Sequence, residues 1–573
     1  EKIIFRREYM EGNWKVEYEK WLHSSLLLED EKRELQAISF DEIELENRFY
    51  TDLSFGTAGM RGIRGIGRNR MNRYNVGKAT QGLANYILQV AGEEGKKQGV
   101  VIAYDCRIDS QENAETTAKV LAANGIKAYV FESLRSTPEL SFATRELGAK
   151  AGVMITASHN PKEYNGYKVY WEDGAQIVEP QASGIVNAVN AVDVFRDVKT
   201  MNIEEARKQG LVISVGKALD DRFVEEVKKN AIHKTILGKE SFPIVYSPLH
   251  GTGRVAVQRV FKEMGFLNVH TVAEQELPDG TFPTCPYANP EDHSVFELSL
   301  KLAERVGAKL CITNDPDADR TGIAFLDREG KWYIPNGNQI GILLANYIFT
   351  NKEIPQNGAV ISTIVSTPML DPLAKAYGIT LYRTLTGFKY IGEKIRQFEK
   401  KELDGTFLFG FEEAIGYLAG THVRDKDAVV TSMLVAEMAA YYDAKGSSLY
   451  EELIKLYDKY GYFLEETIAI TKKGKDGLEA IANTMKALRE VKPSVLCGRK
   501  VLEIRDFNEN YKGLPKSNVL QYVLEDGSQV TVRPSGTEPK IKYYICVSDK
   551  LEEKAKETLS ELTKDFQDYV DSL

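Results

Sequence analysis

The chain alternates short apolar, β-branched runs with polar turns and longer stretches of helical periodicity, and one such arrangement is written three times. The first copy, Val100 to Gly125, reads VVIAYDCRIDSQENAETTAKVLAANG and is followed by the apolar run Lys127–Phe131. The second begins at Phe242 (FPIVYSPLHGTGRVAVQRVFKEMGF, then LNVHTV), and the third at Gly358 (GAVISTIVSTPMLDPLAKAYGI, then TLYRTL). Each predicts strand, turn, helix and strand, the unit of a parallel α/β layer. After each copy come a further helix and an apolar strand that runs into a polar cluster. The clusters are TASHNP (Thr156–Pro161), NDPDADR (Asn314–Arg320) and FEEAIG (Phe411–Gly416). Open α/β sheets bind ligands beyond the carboxyl ends of their strands, so all three clusters stand where a site is expected.

From about Ser448 the pattern changes to helices, short alternating strands such as VLQYVLEDGSQVTVRP, and a helical end over Leu551–Phe566, which predicts a smaller α+β domain. At 573 residues the chain exceeds what one hydrophobic core supports. The pattern therefore predicts three similar α/β domains with mixed, mostly parallel sheets plus a smaller C-terminal α+β domain. They are divided as 1–211 (first cluster), 212–327 (second), 328–447 (third) and 448–573. Met201–Gly216 reads as a connector and Arg328–Lys331 as a turn-rich boundary.

The net charge of −9 gives no global attraction to nucleic acid or anionic membrane, so an anion site must gather its own cations. The five cysteines are scattered with no C-x-x-C pair, which argues against a disulfide framework or a zinc site and for a cytoplasmic protein. The segment Glu1–Trp14 is charged and lacks a signal-peptide core. The most apolar helical stretch, Val429–Tyr442, is interrupted by Glu437 and falls short of a membrane span.

In NDPDADR, Asp315, Asp317 and Asp319 alternate. In an extended segment alternate side chains share a face, so three carboxylates can converge on one cation. All-oxygen ligands favour magnesium, or else manganese, over zinc. Ser158 in TASHNP gains meaning from that neighbour: phosphorylated, it supplies a further oxygen ligand while the metal offsets its charge. His159 is expected to point away from Ser158, as neighbours in an extended chain do, and to serve substrate contact. Lys168, on the following strand, is a candidate cation or acid. Glu412 and Glu413 suit vicinal sugar hydroxyls. Thr386 and Gly387 flank that loop with Lys389, and Lys426 is a candidate acid/base. RPSGTEPK (Arg533–Lys540) reads as an anion cradle in which Arg533, Ser535, Gly536 and Thr537 offer donors, with Lys540 and Lys542 adding charge. FGTAGMRG (Phe55–Gly62) is a basic glycine-rich loop that matches neither a dinucleotide fingerprint nor a Walker loop.

TASHNP, NDPDADR, FEEAIG and RPSGTEPK occur in an order and spacing that resembles the α-D-phosphohexomutase superfamily over essentially the whole chain, most closely its phosphoglucomutase/phosphopentomutase branch. The resemblance implies four domains around a central cleft and a phosphoserine at Ser158. It implies one magnesium ion per chain, held by Asp315, Asp317, Asp319 and the seryl phosphate. It places Arg320, Arg61, His159 and Lys168 around the transferring phosphoryl group, Thr386, Gly387, Glu412 and Lys426 in the sugar-recognising region, and Arg533, Ser535, Gly536 and Thr537 in the phosphate-binding loop. It also implies glucose 1,6-bisphosphate as intermediate and activator. Ala414 departs from the family, standing where many glucose-phosphate mutases carry a serine that helps bind the sugar.

The expected activity is interconversion of glucose 1-phosphate and glucose 6-phosphate. The alternatives are a phosphopentomutase on ribose or deoxyribose phosphates, a glucose 1,6-bisphosphate synthase, and a silent sugar-phosphate-binding regulator. The expected partners are small sugar phosphates, with no nucleic acid and no membrane, and the expected state is a monomer or weak homodimer.

Overall fold

The structure, a computed structural model, describes residues 13–56, 59–471, 474–535 and 540–572. The chain gathers into two compact units. One comprises the chain up to Ala231 with Lys239–Ile323 and Gly420–Met433. The other comprises Ile232–Gly238, Ala324–Ala419 and Leu434–Leu573.

In the first unit, the run VVIAY forms the strand Val100–Tyr104, every residue of which is buried. A strand covered by helices on both faces needs such an unbroken apolar run, because neither face meets water. Ala151–Ile155 is buried throughout for the same reason, and Leu310–Asn314 is buried throughout as well, apolar at Leu310–Ile312 and polar at Thr313 and Asn314. The first sheet runs, edge to edge, through Gly59–Ile63, Tyr164–Trp171, Ala151–Ile155, Val100–Tyr104, Ala128–Phe131 and Val212–Val215. Its central pairings are parallel, and the two at the Gly59–Ile63 edge are antiparallel. The helix Thr137–Glu146 begins on a capping box. Ser136 accepts from the Glu139 backbone N–H, Glu139 accepts from that of Ser136, and Pro138 sits in the first turn.

The second sheet places Ile244–Ser247 between Val269–Thr271 and Leu310–Asn314, all parallel, with Thr321–Leu326 beside the last. In the second unit, Gly358–Thr363 lies between Thr380–Thr384 and Thr406–Glu412, again parallel, and Gly416–Ala419 closes the edge antiparallel. Counted from the first strand of each sequence copy, the three sheets share one strand order, so the repeat in the sequence is a repeat in topology. The C-terminal sheet is wholly antiparallel, six strands from Tyr462–Thr471 to Val495–Leu496. The helix Glu552–Asp571 buries Ala555, Leu562 and Phe566 in that domain's core. The chain therefore has the expected class: three α/β domains with mixed sheets and a further α+β domain.

The structure gives the two segments read as connector and boundary their form. Met201–Gly216 is not a free connector, because Val212–Val215 pairs in parallel with Ala128–Phe131 and completes the first sheet. Arg328–Lys331 is the tip of a β-hairpin, closed by the Asp327 N–H donating to the Lys331 carbonyl at 2.8 Å. One feature went unread: three short helices, Asn13–Leu22, Glu29–Ala37 and Glu42–Phe49, with their own core of Trp21, Leu35, Leu45 and Phe49. Their apolar residues lie far apart in a charged sequence, which hides the stripe. Among the described residues, no helix is long and apolar enough to cross a membrane.

Candidate active site

Each polar cluster sits at or just past the end of the third strand of its repeat, and residues at the end of that repeat's first strand or in the turn after it hold it. In the first repeat, Asp105 follows the strand Val100–Tyr104 and accepts the Thr156 hydroxyl at 2.6 Å. The Thr156 hydroxyl oxygen in turn accepts the Ser158 N–H at 2.8 Å. In the second, Thr252 donates its N–H and its hydroxyl to the Pro316 carbonyl at 2.8 and 3.0 Å. Gly251 allows this approach, because a Cβ there would lie 2.5 Å from the Pro316 Cα. In the third, Ser362 donates to the Phe411 carbonyl at 2.8 Å, and Thr363 and Ser366 donate to the Glu413 carboxylate at 3.2 and 3.3 Å.

The first unit brings the first two clusters together. The Ser158 hydroxyl donates to Asp315 Oδ2 at 2.9 Å, across 157 residues of sequence. Asp315, Asp317 and Asp319 are buried and each offers an oxygen within 4.8 Å of the others. They do not converge as alternate residues of an extended strand. Pro316–Ala318 is a turn, closed by the Ala318 N–H on the Asp315 carbonyl at 2.9 Å, and Ala318 has a positive φ of 51°. Asp315 Oδ1 accepts the N–H groups of Asp319 and Arg320, at 3.1 and 3.0 Å, which locks that turn.

Two lysines face the acidic turn. Lys168 Nζ lies 2.9 Å from Asp317 Oδ2 and 3.6 Å from Asp319 Oδ2. Lys426 Nζ lies 3.1 Å from both Asp319 Oδ2 and Asp425 Oδ1. The resemblance put Lys426 with the sugar loop; in the structure it stands at the acidic turn of the first unit. Thr137 adds its hydroxyl to Asp317 Oδ2 at 2.8 Å. Burial opposes charge on Asp317, but the adjacent Lys168 ammonium holds its carboxyl below the usual range. Burial, and then the charges of Asp317 and Asp319, push Asp315 well above it. Burial opposes charge on Lys168 too, but Asp317 and Asp319 raise its pKa.

The residues fit a hard cation. Among the described residues, Asp317 Oδ1 and Asp319 Oδ1 are buried and accept no hydrogen bond. A buried carboxylate oxygen left unpaired is costly, and a divalent ion among oxygen ligands is the partner that removes the cost.

His159 corrects the sequence expectation. Its Nδ1 lies 3.2 Å from the Ser158 hydroxyl. Ser158 has a positive φ of 53°, so the chain turns instead of extending and adjacent side chains meet. Burial, then the charges of Arg320 and Arg61, push the His159 pKa well below its ordinary value and keep the ring neutral. Arg61 donates to the Asn160 side-chain oxygen at 3.0 Å, and Arg320 Nη1 reaches Glu291 at 3.4 Å.

The second unit carries the remaining predicted residues. Glu412 ends the strand Thr406–Glu412 and accepts the Gly387 N–H at 2.7 Å, which joins the two halves of the expected sugar region. Thr386 stands beside Gly387 with a buried hydroxyl oxygen that has no hydrogen-bond partner among the described residues. Ala414 is half-buried in the turn between Thr406–Glu412 and Gly416–Ala419. Arg533 faces Lys542 across paired antiparallel strands, and the Ser535 N–H donates to the Lys540 carbonyl at 2.7 Å. Gly536 and Thr537 lie outside the described residues. Tyr544, which the sequence did not single out, feels both groups: burial and Glu413 raise its phenol pKa, and Arg533 opposes them.

Known proteins resemble the chain over most of its length. Residues 52–194, 221–329 and 336–457 match domains I, II and III of the family described as phosphoglucomutase/phosphomannomutase, each an alpha/beta/alpha domain. A phosphoglucomutase of Staphylococcus epidermidis is 38% identical over 518 residues, 88% of this chain and 92% of that one. One of Staphylococcus aureus is 36% identical over 516 residues, 88% and 91% of the two chains. The fold is shared with parafusin from Paramecium in its open form, at a TM-score of 0.70 and 18% identity, covering 91% of this chain and 95% of that one. The chain belongs to the phosphoglucomutase/phosphomannomutase family.

Proposed function

We propose that this protein is a magnesium-dependent phosphoglucomutase that interconverts glucose 1-phosphate and glucose 6-phosphate through a phosphoserine at Ser158 and a glucose 1,6-bisphosphate intermediate. The observation that carries the reading is the 2.9 Å contact between the Ser158 hydroxyl and the buried acidic turn of the neighbouring repeat. The choice of glucose rests on the staphylococcal relatives, which are named phosphoglucomutases.

In this reading Asp315, Asp317, Asp319 and the seryl phosphate hold the magnesium ion, which supplies positive charge against the phosphoryl oxygens. The chain's own groups position the transfer and stabilise its charge. Lys168, Arg320 and Arg61 surround the phosphoryl oxygens with cationic donors. The P–O bond to Ser158 Oγ breaks as a bond to a sugar hydroxyl oxygen forms; the hydroxyl proton passes to Lys426, assigned the acid/base role from its amine form beside Asp319 and Asp425, and on to Ser158 Oγ as the seryl oxygen leaves. When the bisphosphate returns its other phosphoryl group, the Ser158 proton has two acceptors within reach, Asp315 and the neutral His159. Thr386, Gly387 and Glu412 orient the sugar. Arg533, Ser535, Gly536, Thr537 and Lys542 hold the phosphate that is not transferred. The four domains follow the division read from the sequence, with the first boundary moved beyond Val215.

The test is a side-by-side rate measurement on glucose 1-phosphate and ribose 1-phosphate, with magnesium and catalytic glucose 1,6-bisphosphate. The expected result is a glucose preference of at least about tenfold in kcat/KM, the scale of a pocket contact made with one substrate and not the other. A pentose preference would overturn the assignment of the sugar, and net accumulation of bisphosphate from a separate phosphoryl donor would point to a synthase instead.

A further inference from the structure

We infer that Arg107 is a positioning residue that sets the conformation of the phosphoserine loop, and that Phe282 of the second repeat holds Arg107 in place. The inference rests on the proposed phosphoserine at Ser158 and adds a part of the machinery that none of the recognised motifs contains.

One guanidinium binds four backbone carbonyls of a single loop. Arg107 Nη2 donates to the carbonyls of Ser158 and Asn160, and Nη1 donates to those of Pro161 and Tyr164 at 2.8 and 3.1 Å. The side chain has no exposed surface, and neither has that of Asp105, which lies 3.4 Å from Arg107 Nε. Asp105 Oδ1 also accepts the Arg107 N–H, at 3.0 Å. Ser158 is thus held on both sides. Its N–H is fixed through Thr156 to Asp105, and its carbonyl is fixed by Arg107.

Such restraint has a physical purpose. A non-glycine residue with positive φ lies above its relaxed conformation and persists only where the surroundings over-determine it. The same positive φ brings His159 and Asp315 to the Ser158 hydroxyl. Only a planar fork can serve four carbonyls at once. A lysine ammonium has three donors on one atom and cannot span them.

The far face of Arg107 is covered by the loop after Leu277. The Phe282 ring lies 5.0 Å from the guanidinium carbon. A Cβ on Gly280 would come within 2.6 Å of the Cys106 carbonyl, so this loop lies flush against the turn that carries Arg107. The second repeat thereby supports the serine loop as well as supplying the acidic turn that faces it.

The experiment compares Arg107→Lys, Phe282→Leu and Ser158→Ala in the full chain. It measures kcat and KM for glucose 1-phosphate, single-turnover phosphorylation of residue 158 by glucose 1,6-bisphosphate, and thermal unfolding. For Arg107→Lys the expected result is a loss of about 100-fold in kcat and in the phosphorylation rate, with KM within about threefold of wild type, because misplacing a reacting group by about 1 Å costs that much. Phe282→Leu keeps the apolar cover but removes the ring, and about a fivefold loss in the same two rates is expected, the scale of one cation–π contact. This variant carries the test if Arg107→Lys does not fold. Wild-type phosphorylation rates in a folded Arg107→Lys or in Phe282→Leu would overturn the inference, as would kcat losses matched by equal rises in KM. If Ser158→Ala retained turnover, the phosphoserine reading would fail instead, whatever the Arg107 result.

Discussion

Replacing Ser158 by alanine is expected to lower glucose 1-phosphate turnover by at least about 10,000-fold, the scale seen when a nucleophile is removed. The loss should fall on kcat, because the residues assigned to the sugar and to the second phosphate lie elsewhere in the chain. The fold should survive. Among the described residues, the Ser158 hydroxyl hydrogen-bonds only with Asp315 and His159, while the loop is held through backbone groups by Thr156 and Arg107. Losing one such hydrogen bond costs about 1 kcal/mol, so unfolding temperatures of the variant and the parent should nearly coincide. A variant that unfolds early would leave its low activity without a catalytic meaning, and the pair of measurements separates the two causes.

The second large effect concerns the acidic turn. Chelation of divalent ions is expected to abolish turnover, and added magnesium to restore it. The change in rate should be about 1,000-fold or more, since charge stabilisation of several kcal/mol is withdrawn from the transferring group. Asp315→Asn should reproduce the loss with metal present. It should do so without destabilising the metal-free protein, because the raised pKa of Asp315 already favours its neutral form there. The asparagine oxygen can still accept the N–H groups of Asp319 and Arg320, and its amide can donate to the Ser158 hydroxyl oxygen. A sign follows for pH. A carboxyl with a raised pKa must lose its proton to bind a cation, so metal affinity should strengthen as pH rises through that value and weaken on acidification. Calorimetric titration with magnesium at several pH values reads this directly, and an affinity that does not change with pH would contradict it.

How much of this was legible in the sequence depended on whether chemistry lay within one motif. The triple repeat announced itself because buried parallel strands carry near-continuous apolar runs, as VVIAY, AGVMI and the LCI of KLCIT do. Asp315, Asp317 and Asp319 were legible because a cation needs several oxygens and these stand together. What escaped was set by tertiary contacts. Ser158 and Ala318 take positive φ, which nothing in S-H-N-P or D-A-D requires, so the extended-chain geometry was wrong for His159 and for the acidic turn. Arg107 sits in YDCRID, read only as the turn of the first copy, and acquires its role only when the loop that begins 51 residues later at Ser158 folds over it. Lys426 lies next in sequence to the third repeat yet belongs to the first unit, because Gly420–Met433 crosses into it. Val212–Val215 is four residues in a polar surrounding and is a strand only because Ala128–Phe131 offers it an edge.

The central claim is that Ser158 carries the phosphoryl group. It is tested most directly by treating the magnesium-loaded protein with glucose 1,6-bisphosphate and locating the phosphoryl group by peptide mass spectrometry. The expected result is a single phosphoryl group on the peptide containing residue 158, lost to the sugar on addition of excess glucose 6-phosphate. Full turnover with that serine never modified, or with the phosphoryl group on another residue, would contradict the account.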